Sequence, residues 1–254
     1  MHRFYLPPEQ GNDLSLRLEA REAHHGLQVL RLRPSEKVVV LDGAGHEYLC
    51  EVGQAERRTI HLTVRHKNTV PRLPYEITLV QGLPKGKLFE SIIQKATELG
   101  VTRIVPLLSE RVSAHWEPEA AENKVEKWRL TAVEAIKQCG SAWLPVIERP
   151  VRPRDYLARL ETFDLPLIAS LQPASQHPRV YFRRFAAERH HRPRSLCLWV
   201  GPEGDFTPAE LNAAQSAGAL PITLGKLVLR CETAAVYGLS ILNYELQSPD
   251  PLPA

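Results

Sequence analysis

At 254 residues the chain is long enough for one large or two modest domains with real cores. Apolar residues make up 43% and charged residues 24%, which excludes disordered, collagen-like and coiled-coil classes. A net charge of only +3 does not by itself make a nucleic-acid binder.

No uncharged apolar run approaches the roughly 20 residues that span a bilayer, and Met1 to Pro8 lacks an apolar signal-peptide core. The expectation is therefore a cytoplasmic protein without a membrane partner. Cys50, Cys139, Cys197 and Cys231 are far apart with no CxxC pair, neither a zinc pattern nor a disulfide framework. All four are read as reduced, and no metal is expected. Six of the ten histidines fall within the first 66 residues, beside arginines, as suits a surface that meets phosphate.

In chain order, residues 1–72 read as β. Val38 to Leu41, the turn Asp42-Gly43-Ala44-Gly45, and His46 to Val52 give a strand–turn–strand hairpin. Thr59 to Val64 alternates polar with apolar. Short strands with glycine turns and almost no helix suggest a small barrel. Asn68 to Pro74 reads as a linker, since two prolines in four residues oppose helix and central strand.

Strand–helix alternation follows. Strands are expected over 77–80, 103–108, 165–169, 196–200 and 221–224. Helices are expected over 87–99 and 124–139, each stopped by a glycine, then after 178, after 207 and from 233 to about 246. That rhythm means an α/β domain over 73–247 with a mostly parallel sheet covered on both faces. Residues 248–254 read as a disordered tail. Six arginines between 179 and 194 stand against one acid, Glu188, with Tyr181 and Phe182 interleaved. A solvated helix face is the plain reading of such a run.

Three loops can carry chemistry. Gly82-Leu83-Pro84-Lys85-Gly86-Lys87-Leu88 is one residue short of a nucleotide-binding loop and has Leu88 where a hydroxyl must hold magnesium. Its Lys85 and Lys87 remain placed for RNA phosphate at a helix start. Gly201-Pro202-Glu203-Gly204-Asp205-Phe206 follows a buried strand, where open α/β sheets place ligand crevices. Thr207, Pro208 and Glu210 then start a helix as N-cap, first residue and capping box. In Leu224-Gly225-Lys226-Leu227-Val228-Leu229-Arg230-Cys231-Glu232-Thr233, Thr233 as N-cap puts Arg230 and Glu232 just before a helix N-terminus. An ion pair plus helix cap is the plain alternative there.

The two later loops, in this order and at this spacing, resemble the SPOUT superfamily of knotted methyltransferases. More narrowly they resemble its RsmE family, which methylates N3 of a uridine in 16S rRNA. Arg3-Phe4-Tyr5, His25 to Arg33, Gln94 to Val101, Ser109-Glu110-Arg111 and Glu134 to Gly140 match as well, so the resemblance spans nearly the whole chain.

The resemblance implies an N-terminal PUA-like β-barrel for RNA and a trefoil-knotted C-terminal domain that wraps S-adenosylmethionine. By that analogy the cofactor pocket is Leu171, Gly201, Pro202, Gly204, Leu224, Gly225 and Leu229. The RNA contacts are Arg3, Arg31, Arg33, Lys85 and Lys87. The expected state is a homodimer, and the expected partner is 16S rRNA in the assembled small ribosomal subunit. The departures from the family pattern are Val112 for Ser, Ser141 for Arg, Asp205 for Gly and Cys231 for Thr.

Uracil N3 carries a proton and is a poor nucleophile until it leaves. Arg230 suits stabilisation of the charge that develops on O2 and O4. Glu203 or Glu232 either accepts the proton or orients Arg230. Two rival readings are a related methyltransferase for another RNA position and a non-catalytic RNA-binding module.

Overall fold

Alternation of polar and apolar residues builds the first sheet, and its turn chemistry is local. In β3 (Lys37–Leu41), β4 (His46–Glu56) and β5 (Thr59–Thr69) the inward residues Val38, Val40, Tyr48, Cys50, Val52, Ile60 and Leu62 are buried together. Asp42 fixes the β3–β4 turn, its Oδ1 accepting from the backbone N–H of Ala44 at 2.8 Å and of His46 at 2.9 Å. The structure, a computed structural model, describes residues 1–56, 58–111 and 118–248. Val112 and the tail from 249 onward lie outside the described residues.

Two further strands complete this sheet. β1 (His2–Tyr5) runs parallel to β3, and β2 (Ser15–Glu19) antiparallel to β5, giving the curled order β1-β3-β4-β5-β2. β5 extends to Thr69, pairing Asn68 with Glu47 and Thr69 with His46, so the segment expected as linker begins inside a strand. The region expected to be nearly free of helix holds α1 (Ala20–His24), which continues as a π-turn over His25–Val29. That turn presses Gly26 into the core, where a Cβ would sit 2.6 Å from Ile60 Cδ1.

This unit does not end at 72. Met1–Arg72 and Val133–Leu144 form one compact unit, while Leu73–Ala132 and the chain from Pro145 form the other. The sequence reading ran the second domain unbroken from 73 to 247. Trp143 shows why that division shifts: its indole N–H donates to the Val70 carbonyl at 3.0 Å, and Arg72 lies over its ring. Gly45 and Leu144 donate backbone N–H groups to Ala142 and Gly43, each at 2.9 Å. Lys137, almost buried, pairs with Glu22 at 2.8 Å and Glu134 at 3.1 Å.

The second unit carries a six-stranded sheet of order β11-β9-β10-β6-β7-β8, every adjacent pair parallel. The strands are β6 (Glu76–Gly82), β7 (Arg103–Leu107), β8 (Val146–Ile147), β9 (Leu165–Ala169), β10 (Ser195–Val200) and β11 (Leu220–Ile222). Helices α2 (Leu88–Glu98), α3 (Pro118–Cys139), α4 (Pro153–Leu157), α5 (Pro178–Arg189), α6 (Pro208–Ser216) and α7 (Cys231–Gln247) punctuate them. The central strand β10 carries an apolar run, as burial on both faces demands: Leu196 to Val200 are all buried. The chain steps outward from β6 to β7 and β8, then returns on the other side of β6 to β9, β10 and β11. The strand order therefore switches at β6 and β10, where such sheets open a crevice.

The arginine run lies mostly on α5. Tyr181 and Phe182 are buried rather than interleaved on the surface, Arg179 pairs with Glu245 at 2.7 Å, and Arg183 and Arg184 are exposed. The solvated helix face is what the structure shows.

The start of α6 is a capping box. Thr207 Oγ1 accepts the Glu210 N–H at 3.2 Å, and Glu210 Oε2 accepts the Thr207 N–H at 2.9 Å. Glu210 does more than cap. It also accepts from the Ser109 hydroxyl at 3.1 Å and from the Glu110 backbone N–H at 2.8 Å. Glu210→Ala should therefore cost about 2–3 kcal/mol in urea unfolding, against about 1 kcal/mol for Thr207→Ala, because two donors outside the cap, the buried Ser109 hydroxyl and the Glu110 N–H, lose their acceptor. Equal losses would show that Glu210 acts only as a cap.

Candidate active site

Three loops leave the carboxyl ends of β9, β10 and β11 and enclose one cavity of 710 Å³, a size common for small-molecule sites. Each loop has its own local logic. After β10, the Asp205 N–H bonds to the Pro202 carbonyl at 2.9 Å and closes a turn over Pro202 to Asp205. Asp205 takes a left-handed φ of 57°, and its Oδ1 accepts the Phe206 N–H at 2.8 Å. Aspartate tolerates that conformation better than most residues, which explains how it stands where the family pattern has glycine.

After β11, the Thr223 hydroxyl accepts the Gly225 N–H at 3.2 Å and donates to its carbonyl at 3.1 Å. Gly225 has φ 119°, a backbone open only to glycine. Leu227 and Val228 are each 78% exposed on this loop, and Leu171 is 65% exposed on the loop after β9. Apolar side chains so exposed around one cavity mark a surface that a ligand or partner covers.

Of the residues expected at the site, Leu171, Gly201, Pro202, Glu203, Leu224, Gly225, Leu229, Arg230 and Glu232 all line this cavity. Gly204 does not. Its carbonyl accepts from Arg111 Nη1 at 2.8 Å, and a Cβ on it would meet the Arg111 side chain at 3.3 Å. Its role is to let Ser109-Glu110-Arg111 approach the loop from outside the cavity.

The start of α7 also differs from expectation. Arg230, extended at φ −64° and ψ 152°, is the residue before the helix, and the first turn holds Cys231, Glu232 and Thr233. Thr233 is thus inside the helix, and no side chain caps the N-terminus. Glu232 gains from that position, since a carboxylate is favoured in the first turn. The Arg230 guanidinium has no hydrogen-bond or ion-pair partner among the described residues. Burial, more than the neighbouring Glu232 and Glu203, pushes the Cys231 thiol up to about 12. It stays a neutral thiol, donating to Glu232 Oε2 at 3.4 Å, and is no nucleophile.

Lys85 and Lys87 precede α2, with Lys87 at its N-cap. The Lys85 backbone N–H donates to Glu203 Oε1 at 2.9 Å and ties this loop to the one after β10. In the first unit, Arg31 and Arg33 are exposed, Arg31 at a left-handed φ of 55°. Arg3 is committed elsewhere: its Nη1 donates to the Lys137 and Gln138 carbonyls at 3.3 and 3.2 Å, capping the end of α3. Ser141 makes only local bonds, its hydroxyl donating to the Trp143 carbonyl at 3.0 Å and accepting that residue's N–H at 3.2 Å.

Sequence reasoning missed several cavity residues, among them Ser170, Gln172, Asp205 and Lys226. The signal for the first two was available, because they follow the carboxyl end of β9. No group of three or more potential metal ligands exists among the described residues.

Known proteins agree with this geometry. Residues 71–243 match the RNA methyltransferase domain family, and residues 18–65 match the RNA methyltransferase PUA domain. The Ribosomal RNA small subunit methyltransferase E of Synechocystis sp. is 32% identical over 252 residues, covering 97% of this chain and 78% of that protein. That of Bacillus subtilis is 29% identical over 233 residues, covering 91% and 90%. Among solved structures, a methyltransferase of Legionella pneumophila in complex with its cofactor SAM superposes with a TM-score of 0.85 at 30% identity, covering 94% of this chain and 96% of that one. The Ribosomal RNA small subunit methyltransferase E of Neisseria gonorrhoeae, bound to S-adenosyl methionine, gives 0.81 at 29% identity, covering 95% and 96%. With a PUA-type unit, a parallel SPOUT sheet and glycine loops meeting at its switch point, the chain belongs to the ribosomal RNA small subunit methyltransferase E family.

Proposed function

We propose that the chain binds S-adenosylmethionine in the three-loop cavity and methylates N3 of a uridine in 16S rRNA, as a cytoplasmic homodimer acting on the assembled small ribosomal subunit. The observation that carries this reading is the convergence of Gly201, Pro202, Leu224, Gly225 and Leu229 in one cavity with Arg230, whose guanidinium has no partner among the described residues. The donor set fits the cofactor. Glycine loops let backbone amides and carbonyls approach a purine and a ribose closely, and Leu171, Leu224 and Leu229 offer apolar surface for the ring. When bound, the cofactor supplies an electrophilic methyl group carried on a sulfonium.

The chain's own residues do the rest. Positioning the uracil edge against that methyl supplies much of the rate. Arg230 donates in a fork and stabilises the negative charge that spreads over O2 and O4 as N3 loses its proton. Glu232 accepts that proton. Glu203 is the weaker candidate, since the Lys85 N–H holds one of its oxygens at 2.9 Å, a firmer tie than the Cys231 thiol on Glu232 at 3.4 Å. Reaching N3 within folded RNA requires the base to leave its stack.

We assign RNA binding to the first unit, through Arg31 and Arg33, and methyl transfer to the second, with Lys85 and Lys87 on phosphate beside the cavity. Arg31→Ala/Arg33→Ala and Lys85→Ala/Lys87→Ala should each flatten the log–log salt dependence of subunit binding by about 1.5 units. Arg3→Ala should leave it unchanged. Purified small subunits should be methylated faster than protein-free 16S rRNA. A flat response to both double variants would remove the two-unit reading.

Nucleoside mass spectrometry of 16S rRNA from a deletion strain tests the target. Loss of 3-methyluridine is expected. Loss of a different methylated nucleoside would move the chain to another RNA position, and no loss at all would favour the non-catalytic module.

A further inference from the structure

We infer that Gln81 is a positioning residue for methyl transfer, acting through the backbone of the loop after β10. The inference rests on the reading that the cavity holds S-adenosylmethionine.

Gln81 is the penultimate residue of β6 and is wholly buried. Its Nε2 donates to the carbonyls of Gly82 at 3.0 Å, Val200 at 3.4 Å and Gly201 at 3.4 Å. Three carbonyl oxygens around one end of an amide fix which end is nitrogen, because the turned amide would set oxygen against oxygen. Its Oε1 has no hydrogen-bond partner among the described residues. Burying an unpaired carbonyl is costly, so stability alone would favour an apolar residue of the same shape at this position. The polar end is explained by what it holds. Val200 and Gly201 both line the cavity.

The next residue completes the seat. A Cβ on Gly82 would lie 2.5 Å from Pro202 Cδ and 2.6 Å from Pro202 N, so Pro202 rests directly on the β6 backbone. On its other side the same loop is held by Arg111 on the Gly204 carbonyl and by the Lys85 N–H on Glu203. Gln81 is the inner of these ties and the one that bonds the residues at the cavity wall. Freed of it, the Val200 and Gly201 carbonyls can reorient, and the wall loses its fixed shape.

Gln81→Met keeps the length of the side chain and removes the donor. The expected result is a KM for S-adenosylmethionine raised by about tenfold or more, with turnover at saturating cofactor within about threefold. Gln81→Glu, which sets carboxylate oxygens against the three carbonyls, should raise KM further. Calorimetry with S-adenosylhomocysteine on wild type and both variants separates the outcomes. Failure of wild type to bind would sink the assignment of the cavity itself. Normal binding by wild type, with affinity within about twofold in the folded variants, would make Gln81 a merely structural residue and overturn the inference whatever happens to Tm. If only one variant folds, its affinity decides.

Discussion

Arg230→Ala should slow methyl transfer by roughly 10²–10³-fold, about 2.7–4 kcal/mol of barrier, while cofactor affinity changes by no more than a few fold. Arg230 is held extended at the threshold of α7 and lines the cavity, its charge without a partner among the described residues. A guanidinium in that state can meet charge that exists only in the transition state. Arg230→Lys should recover part of the loss, since an ammonium keeps the charge and cannot reproduce the fork. Single-turnover rates and S-adenosylhomocysteine calorimetry on both variants provide the check. Parallel losses in rate and affinity would make Arg230 a cofactor anchor instead.

The second large effect is expected at the loop glycines, for two different physical reasons. Gly201→Val should abolish cofactor binding because its Cβ would sit 2.8 Å from Asp205 Oδ1 and 3.1 Å from Asp205 Cα, inside the turn that shapes the loop. Gly225→Val should do so through the backbone alone, since nothing lies within 4 Å of a Cβ there but φ is 119°. Left-handed strain of this kind costs on the order of 1–3 kcal/mol and is relieved by moving the chain. Gly225→Ala makes the distinction sharp: if strain is the cause, one methyl group in open space is enough to weaken binding. Normal affinity in both valine variants would remove the cavity from consideration as the cofactor site.

Features encoded by neighbouring residues were legible in the sequence. β9 has the expected bounds, Leu165 to Ala169, and the capping box of Thr207 and Glu210 forms as read. The glycine loops announced the cavity because chain reversal and close approach need particular residues at particular places. Features that depend on distant partners were not legible. β1 is four residues long and is a strand only because β3 accepts it in parallel. Arg3 looked like a phosphate ligand, yet the carbonyls it caps lie more than 130 residues away in sequence. Gly204 belongs to the right motif, but Arg111 arrives from a loop that no local pattern connects to it. Thr233 has the stronger intrinsic preference for a helix cap, and the backbone of Arg230 overrides it.

The division of the chain around Trp143 bears on how the protein is made. The N-terminal unit is discontinuous, because Val133–Leu144 supplies the tryptophan against Gly45 and the carbonyls that Arg3 caps. A nascent chain therefore cannot finish its first unit when residue 72 leaves the ribosome. It must wait until more than half of its 254 residues have emerged, with part of the methyltransferase unit already outside. A fragment ending at Arg72 would display the unfilled face of Gly45 and a Glu22 that has lost Lys137, and should aggregate or bind chaperones rather than fold as an RNA-binding module.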